Sequence, residues 1–160
     1  KMFRFGLAIA ILVVVADQAS KIVVLNALAP FQSVSVSSFF NLVLVLNTGI
    51  SFGLFAGGDT IARWFLIAVA LSISGLLMRW LANSTDRLVC VVLGMIIGGA
   101  FGNVIDRLVY KAVVDFLDFH LYGWHWPAFN VADSAITIGV VLFVLASFFE
   151  RHGHSKLDVE

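Results

Sequence analysis

Residues 88–109 read LVCVVLGMIIGGAFGNVIDRLV, and no charge interrupts them until Asp106. About 20 mostly apolar residues span a bilayer as a helix, so this stretch predicts a transmembrane segment. Its polar end, Asn103, Asp106 and Arg107, would then lie at one membrane face. Three further stretches share this character. Residues 5–26 are apolar except for Asp17 and Lys21, and residues 131–149 carry Asp133 in their first turn. Residues 60–82 hold Arg63 and Arg79 near their ends, where long cationic side chains can reach the interface.

The composition agrees. Of 160 residues, 61% are hydrophobic and 12% charged, and a soluble chain of this length could not bury that much apolar surface. Ten Lys and Arg balance ten Asp and Glu, so no basic field invites nucleic acid. The single cysteine, Cys90, excludes an internal disulfide framework and any multi-cysteine zinc site. Its apolar surroundings read as a small buried side chain.

The first segment could be a signal peptide, with Lys1 and Arg4 ahead of an apolar core and Ala27-Leu28-Ala29 as a cleavage site. Pro30 after the cut, and Asp17 and Lys21 within the core, favour an uncleaved helix. Lys1, Arg4, Arg79, Arg87, Arg151 and Lys156 fall on one side of a four-helix arrangement, and residues 27–62 contain no Lys or Arg. The positive-inside rule therefore predicts both termini in the cytoplasm. Ser33-Val34-Ser35-Val36-Ser37 alternates as a strand, and the Val- and Leu-rich residues 41–46 could pair with it. The expected fold is an all-α polytopic membrane protein with four transmembrane helices. A small extracytoplasmic β-sheet, residues 31–47, lies between the first two. Residues 1–150 form one membrane domain and 151–160 a mobile cytoplasmic tail. Phe39, Phe40, Trp124 and Trp126 suit the lipid–water interface.

Polar groups inside a membrane helix are costly and mark function by default. In this topology Asp17, Lys21, Asn47, Asn103, Asp106, Arg107, Asp115, Asp118, Asn130 and Asp133 converge on the outer face. Each also has a structural reading. Asp17 and Lys21, four apart, can pair on one helical face. Asp106 and Arg107 can anchor the interface, and Asn130 is a natural N-cap with Asp133 complementing the helix dipole. Asp118 can be a solvated loop charge. His120 and His125 near Asp115 and Asp118 match no strong metal pattern, so no metal or cofactor is expected. Two classes remain: an intramembrane hydrolase using paired carboxylates, and a proton- or ion-coupled transporter using them as a relay. Clustering at one face favours the hydrolase, because transporter sites lie near the midplane and their folds often repeat. A purely structural membrane subunit would leave the polar convergence unexplained.

Five motifs, in order, resemble those of the lipoprotein signal peptidases, the bacterial type II signal peptidases. Asp17-Gln18-Ala19-Ser20-Lys21 is similar to D-Q-x-x-K, and Asn47-Thr48-Gly49-Ile50-Ser51-Phe52 to N-T-G-x-x-F. Residues 98–107, GGAFGNVIDR, are similar to G-G-x-x-G-N-x-x-D-R. Val113-Val114-Asp115-Phe116 and Phe129-Asn130-Val131-Ala132-Asp133 complete the set.

The resemblance implies an aspartic endopeptidase with Asp115 and Asp133 as its catalytic pair, Asp106 being the rival for the first place. The implied substrate is a prolipoprotein whose cysteine carries diacylglycerol, cut at the amide just before that cysteine. Asp17, Lys21, Asn47, Gly49, Asn103, Asp106, Arg107 and Asn130 are the expected substrate-binding or supporting residues. Residues 49–58 could form a lid, and glycines 94, 98, 99 and 102 could permit close helix approach. The resemblance further implies a monomer in the bacterial cytoplasmic (inner) membrane, with its site at the outer face. Cyclic peptide inhibitors of the family are expected in the same cleft.

Overall fold

The computed structural model describes residues 1–49 and 59–154. Four helices are long and apolar enough to cross a membrane. They are α1 (Met2–Ala27), α2 (Asp59–Asn83), α3 (Arg87–Val109) and α4 (Val131–His154). Their bounds lie close to the expected spans, except that α4 continues as helix through residues 151–154, where a mobile tail was expected. The rest of that tail, and residues 50–58 of the expected lid, lie outside the described residues.

The most interior helix is α3, which packs against α1, α2 and α4. Its glycines make this possible. A Cβ at Gly98 would lie 2.6 Å from the Ala10 carbonyl oxygen, so α1 and α3 approach backbone to backbone. A Cβ at Gly102 would lie 2.5 Å from Asp17 Oδ2, so this glycine leaves room for a carboxylate between helices. Gly94 serves ordinary close packing against Gly6 and Ile9 of α1. The Asp86 side chain accepts a hydrogen bond from Val89 N at 2.9 Å and caps the start of α3. Cys90 is fully buried with Leu81, Leu93 and Ile97.

One sheet contains β1 (Ser33–Ser37), β2 (Phe40–Asn47), β3 (Val113–Leu121) and β4 (Trp124–His125), antiparallel in that order. It therefore draws on both the α1–α2 and the α3–α4 connections, whereas the sequence pointed only to the first. The missed strand, β3, does not alternate cleanly because residues 113–116 are buried on both faces. Val114 and Phe116 pack with Val24 of α1 and Leu44 of β2, while Asp115 belongs to the polar site. Strands buried on both sides lose the in–out pattern that identifies a half-exposed strand. The β2–β3 register sets Val45 opposite Asp115 and Asn41 opposite Asp118.

Candidate active site

Nine of the ten expected site side chains form one network, and the tenth residue, Gly49, joins through its backbone. At its base is a buried ion cluster. Asp17, Lys21 and Asp106 are 0%, 1% and 0% exposed. The Lys21 ammonium lies 2.8 Å from Asp17 Oδ2 and 2.7 Å from Asp106 Oδ2. Gln18 Nε2 donates to the same two carboxylates, at 3.1 Å and 2.9 Å. Asp17 Oδ1 accepts Ala132 N at 2.8 Å, and Asp106 Oδ2 accepts Val114 N at 3.0 Å. The role left unread in the sequence was that of Gln18. Its place on the same helical face as Lys21 was the available signal.

Asn103 and Asn130 stand above this cluster. Asn103 Oδ1 lies 3.4 Å from Lys21 Nζ and accepts from Asn130 Nδ2 at 3.2 Å, while Asn103 Nδ2 donates to Asp133 Oδ1 at 2.8 Å. Asn130 Nδ2 donates to Asp115 Oδ1 at 2.7 Å, and its Oδ1 accepts Asp133 N at 2.9 Å. Asn130 is thus the N-cap of α4 and a donor to Asp115 at once. Two asparagines link the Asp115 and Asp133 carboxylates. On the other side Asn47 Nδ2 donates to Asp115 Oδ2 at 2.9 Å, and Gly49 N holds Asn47 Oδ1 at 2.8 Å. Gly49 has φ +81°, a conformation that favours glycine.

Burial first, and the charge of Asp133 with it, push the Asp115 carboxyl up to about 6. Hydrogen bonds from Asn47 and Asn130 and the more distant Lys21 charge hold it from rising further. Asp115 is 2% exposed, whereas Asp133 is partly exposed and lines a groove of about 550 Å³ with Trp126, Phe129, Ser134, Thr137 and Ile138. Asn103 and Arg107 cap a second groove of about 290 Å³, walled by Leu66, Val69, Ile73, Ile96 and Ile136. Arg107 Nη1 donates to Asn103 O at 3.3 Å, and among the described residues its buried Nε has no hydrogen-bond partner.

The remaining candidates lie apart from this network. Asp118 is not a solvated loop charge. It is 7% exposed on β3, accepting Asn41 Nδ2 at 2.9 Å and facing His125 Nδ1 at 2.9 Å. Burial works to raise its carboxyl, but the His125 and Asn41 hydrogen bonds outweigh it and hold the group below its ordinary value. His120 stacks on His125 with ring centroids 4.9 Å apart. No group of three or more His, Cys, Asp or Glu is arranged for a metal among the described residues.

Two carboxylates joined by amides, one buried and one opening into an apolar groove, can exchange protons with water. The profile of a family described as "Signal peptidase (SPase) II" matches residues 9–149. A lipoprotein signal peptidase from Burkholderia multivorans is 50% identical over 142 residues, covering 86% of this chain and 84% of that protein. Those of Paraburkholderia phymatum and Ralstonia nicotianae are 47% and 48% identical, covering 86% and 87% of this chain and 84% and 81% of theirs. Two solved structures, both described as bacterial membrane enzymes, superpose with TM-scores of 0.79 and 0.80 at 29% and 30% identity. They cover 92% and 89% of this chain and 89% and 91% of their own. The chain is a multi-pass membrane protein and belongs to the signal peptidase II family of peptidases.

Proposed function

We propose that this chain removes signal peptides from diacylglyceryl-modified prolipoproteins by hydrolysing the amide just before the lipidated cysteine, with Asp115 and Asp133 as the catalytic pair. The observation that carries this reading is that these two carboxylates are linked through the amides of Asn103 and Asn130, with Asp115 pushed up to about 6. Asp106, the rival, has its oxygens taken by Lys21, Gln18 and Val114 N and is fully buried. The transporter alternative finds no support in the relatives, which are named as peptidases.

Two interacting carboxylates can share a proton, and their apparent pKa values belong to the pair. The ionised member takes a proton from water as the water oxygen attacks the carbonyl carbon. The protonated member donates to the carbonyl oxygen. Collapse of the tetrahedral intermediate breaks the C–N bond, and a proton passes to the departing cysteine amine. The products are a signal peptide with a new carboxyl end and a lipidated chain with a free amine. Asn47 and Asn130 offer donors and acceptors to the extended substrate backbone, and the Arg107 fork suits a carbonyl or ester oxygen.

The lipid anchor explains the setting. Its acyl chains hold the substrate in the outer leaflet while the signal helix lies in the bilayer, so the enzyme needs water only at one depth. The Lys and Arg distribution supports cytoplasmic termini in the bacterial inner membrane and a site at the outer face. In this reading residues 1–150 act as one monomeric peptidase domain with a cytoplasmic tail, no cofactor is needed, and the family's cyclic peptide inhibitors occupy the same cleft. The test is gel-shift cleavage of a purified lipid-modified prolipoprotein beside its unlipidated form, in liposomes also assayed for proton flux. Cleavage of the lipidated form alone, without flux, is expected. Flux without cleavage would overturn the reading.

A further inference from the structure

We propose that Lys21 is a positioning residue for the reaction: its ammonium pins together two carboxylates that each hold the backbone amide immediately before one catalytic aspartate. The inference rests on the Asp115–Asp133 reading. The arrangement is nearly symmetric. Asp17 holds Ala132 N, one residue before Asp133, and Asp106 holds Val114 N, one residue before Asp115. One carboxylate comes from α1 and the other from α3, and the amides belong to α4 and β3. Lys21 Nζ lies within 2.8 Å of both carboxylates, with Gln18 as a second, weaker bridge. The separation of the catalytic pair is thereby tied to one buried ammonium that is 1% exposed.

Lys21 also reaches the pair from beneath, since its Nζ lies 3.4 Å from the Asn103 oxygen whose amide nitrogen holds Asp133. A buried ion cluster is weak evidence for stability, because replacement by apolar groups is often neutral. A cluster whose spare acceptors grip the backbone beside two reacting groups has a geometric task instead. Displacement of about 1 Å at a reacting group can cost on the order of 10²-fold in rate.

The experiment compares Lys21→Met with the charge-balanced double variant Lys21→Met/Asp106→Asn, measuring kcat, KM and the pH profile on lipidated prolipoprotein. Asp115→Asn and Asp133→Asn run beside them. Folded variants are expected to lose kcat by roughly 10²-fold or more while KM stays within about threefold, as for an interaction felt only in the transition state. In Lys21→Met the alkaline limb should also move to higher pH, because a charge that restrains Asp115 is gone. Three results would overturn the inference: a folded Lys21 variant with near-normal kcat, a loss confined to KM, or failure of both Lys21 variants to fold, which would make Lys21 a folding requirement only. Activity in Asp115→Asn or Asp133→Asn would instead remove the catalytic reading on which the inference stands.

Discussion

Two pairs of aspartates stand one above the other in the site, and they are treated in opposite ways. Asp17 and Asp106 have an ammonium between them, each also accepts a backbone N–H, and neither is exposed. Among the described residues, Asp115 and Asp133 have only amide donors in contact: Asn47 and Asn130 on one, Asn103 on the other. An ammonium neutralises charge, whereas an amide stabilises a carboxylate without cancelling it. The lower pair has a cation to balance it, while the upper pair, lacking one in contact, can relieve its repulsion by sharing a proton. On the proposed reading, the same side chain is scaffold in one place and acid or base in the other, according to what stands between the two members of each pair.

Breaking the upper pair should have the largest effect. Asp133→Asn and Asp115→Asn are each expected to reduce cleavage by at least about 10³-fold, with the protein still inserted and monodisperse in detergent. Removing the amide links comes next. Asn103→Ala and Asn130→Ala should each lower kcat by roughly 10²-fold, Asn130→Ala also costing about 1 kcal/mol as a lost helix cap, read from thermal unfolding.

A smaller, directional effect concerns pH. With Asp115 pushed up to about 6 beside a charged Asp133, the pair loses its shared proton, and with it the acid, as pH rises through that region, so kcat/KM should drop about tenfold per unit above it. Asn47→Leu deletes a hydrogen bond that favours the ionised form, so this limb should move to higher pH. The smallest effect is the last: chelation by EDTA should leave cleavage unchanged, and a dependence on added metal would revive the histidine cluster of β3 and β4.

Much of this was legible in the sequence, for reasons of scale. Twenty apolar residues in a row have few alternatives to a membrane helix, and a charge within one is conspicuous, so α1, α3 and their polar ends were evident. The aspartate that became Asp115 could be singled out by motif, but not its setting. Strand β3 is buried on both faces and carries acids at 115 and 118, so it lacks the alternation that revealed β1. Distinguishing the two aspartate pairs also required the fold. Asp17 and Lys21 are neighbours in sequence, but Asp106 joins them only because Gly98 and Gly102 bring α3 against α1. Gln18 shared a motif with both, yet its amide gains meaning only from having two carboxylates to bridge.

The most direct test of the central claim is single-turnover cleavage of one lipidated prolipoprotein by purified Asp115→Asn and Asp106→Asn, each normalised to folded protein. The proton-sharing account predicts no detectable turnover from Asp115→Asn, and measurable turnover from whatever fraction of Asp106→Asn folds. Turnover by Asp115→Asn beside a folded but inert Asp106→Asn would contradict it, and would transfer the chemistry to the lower pair.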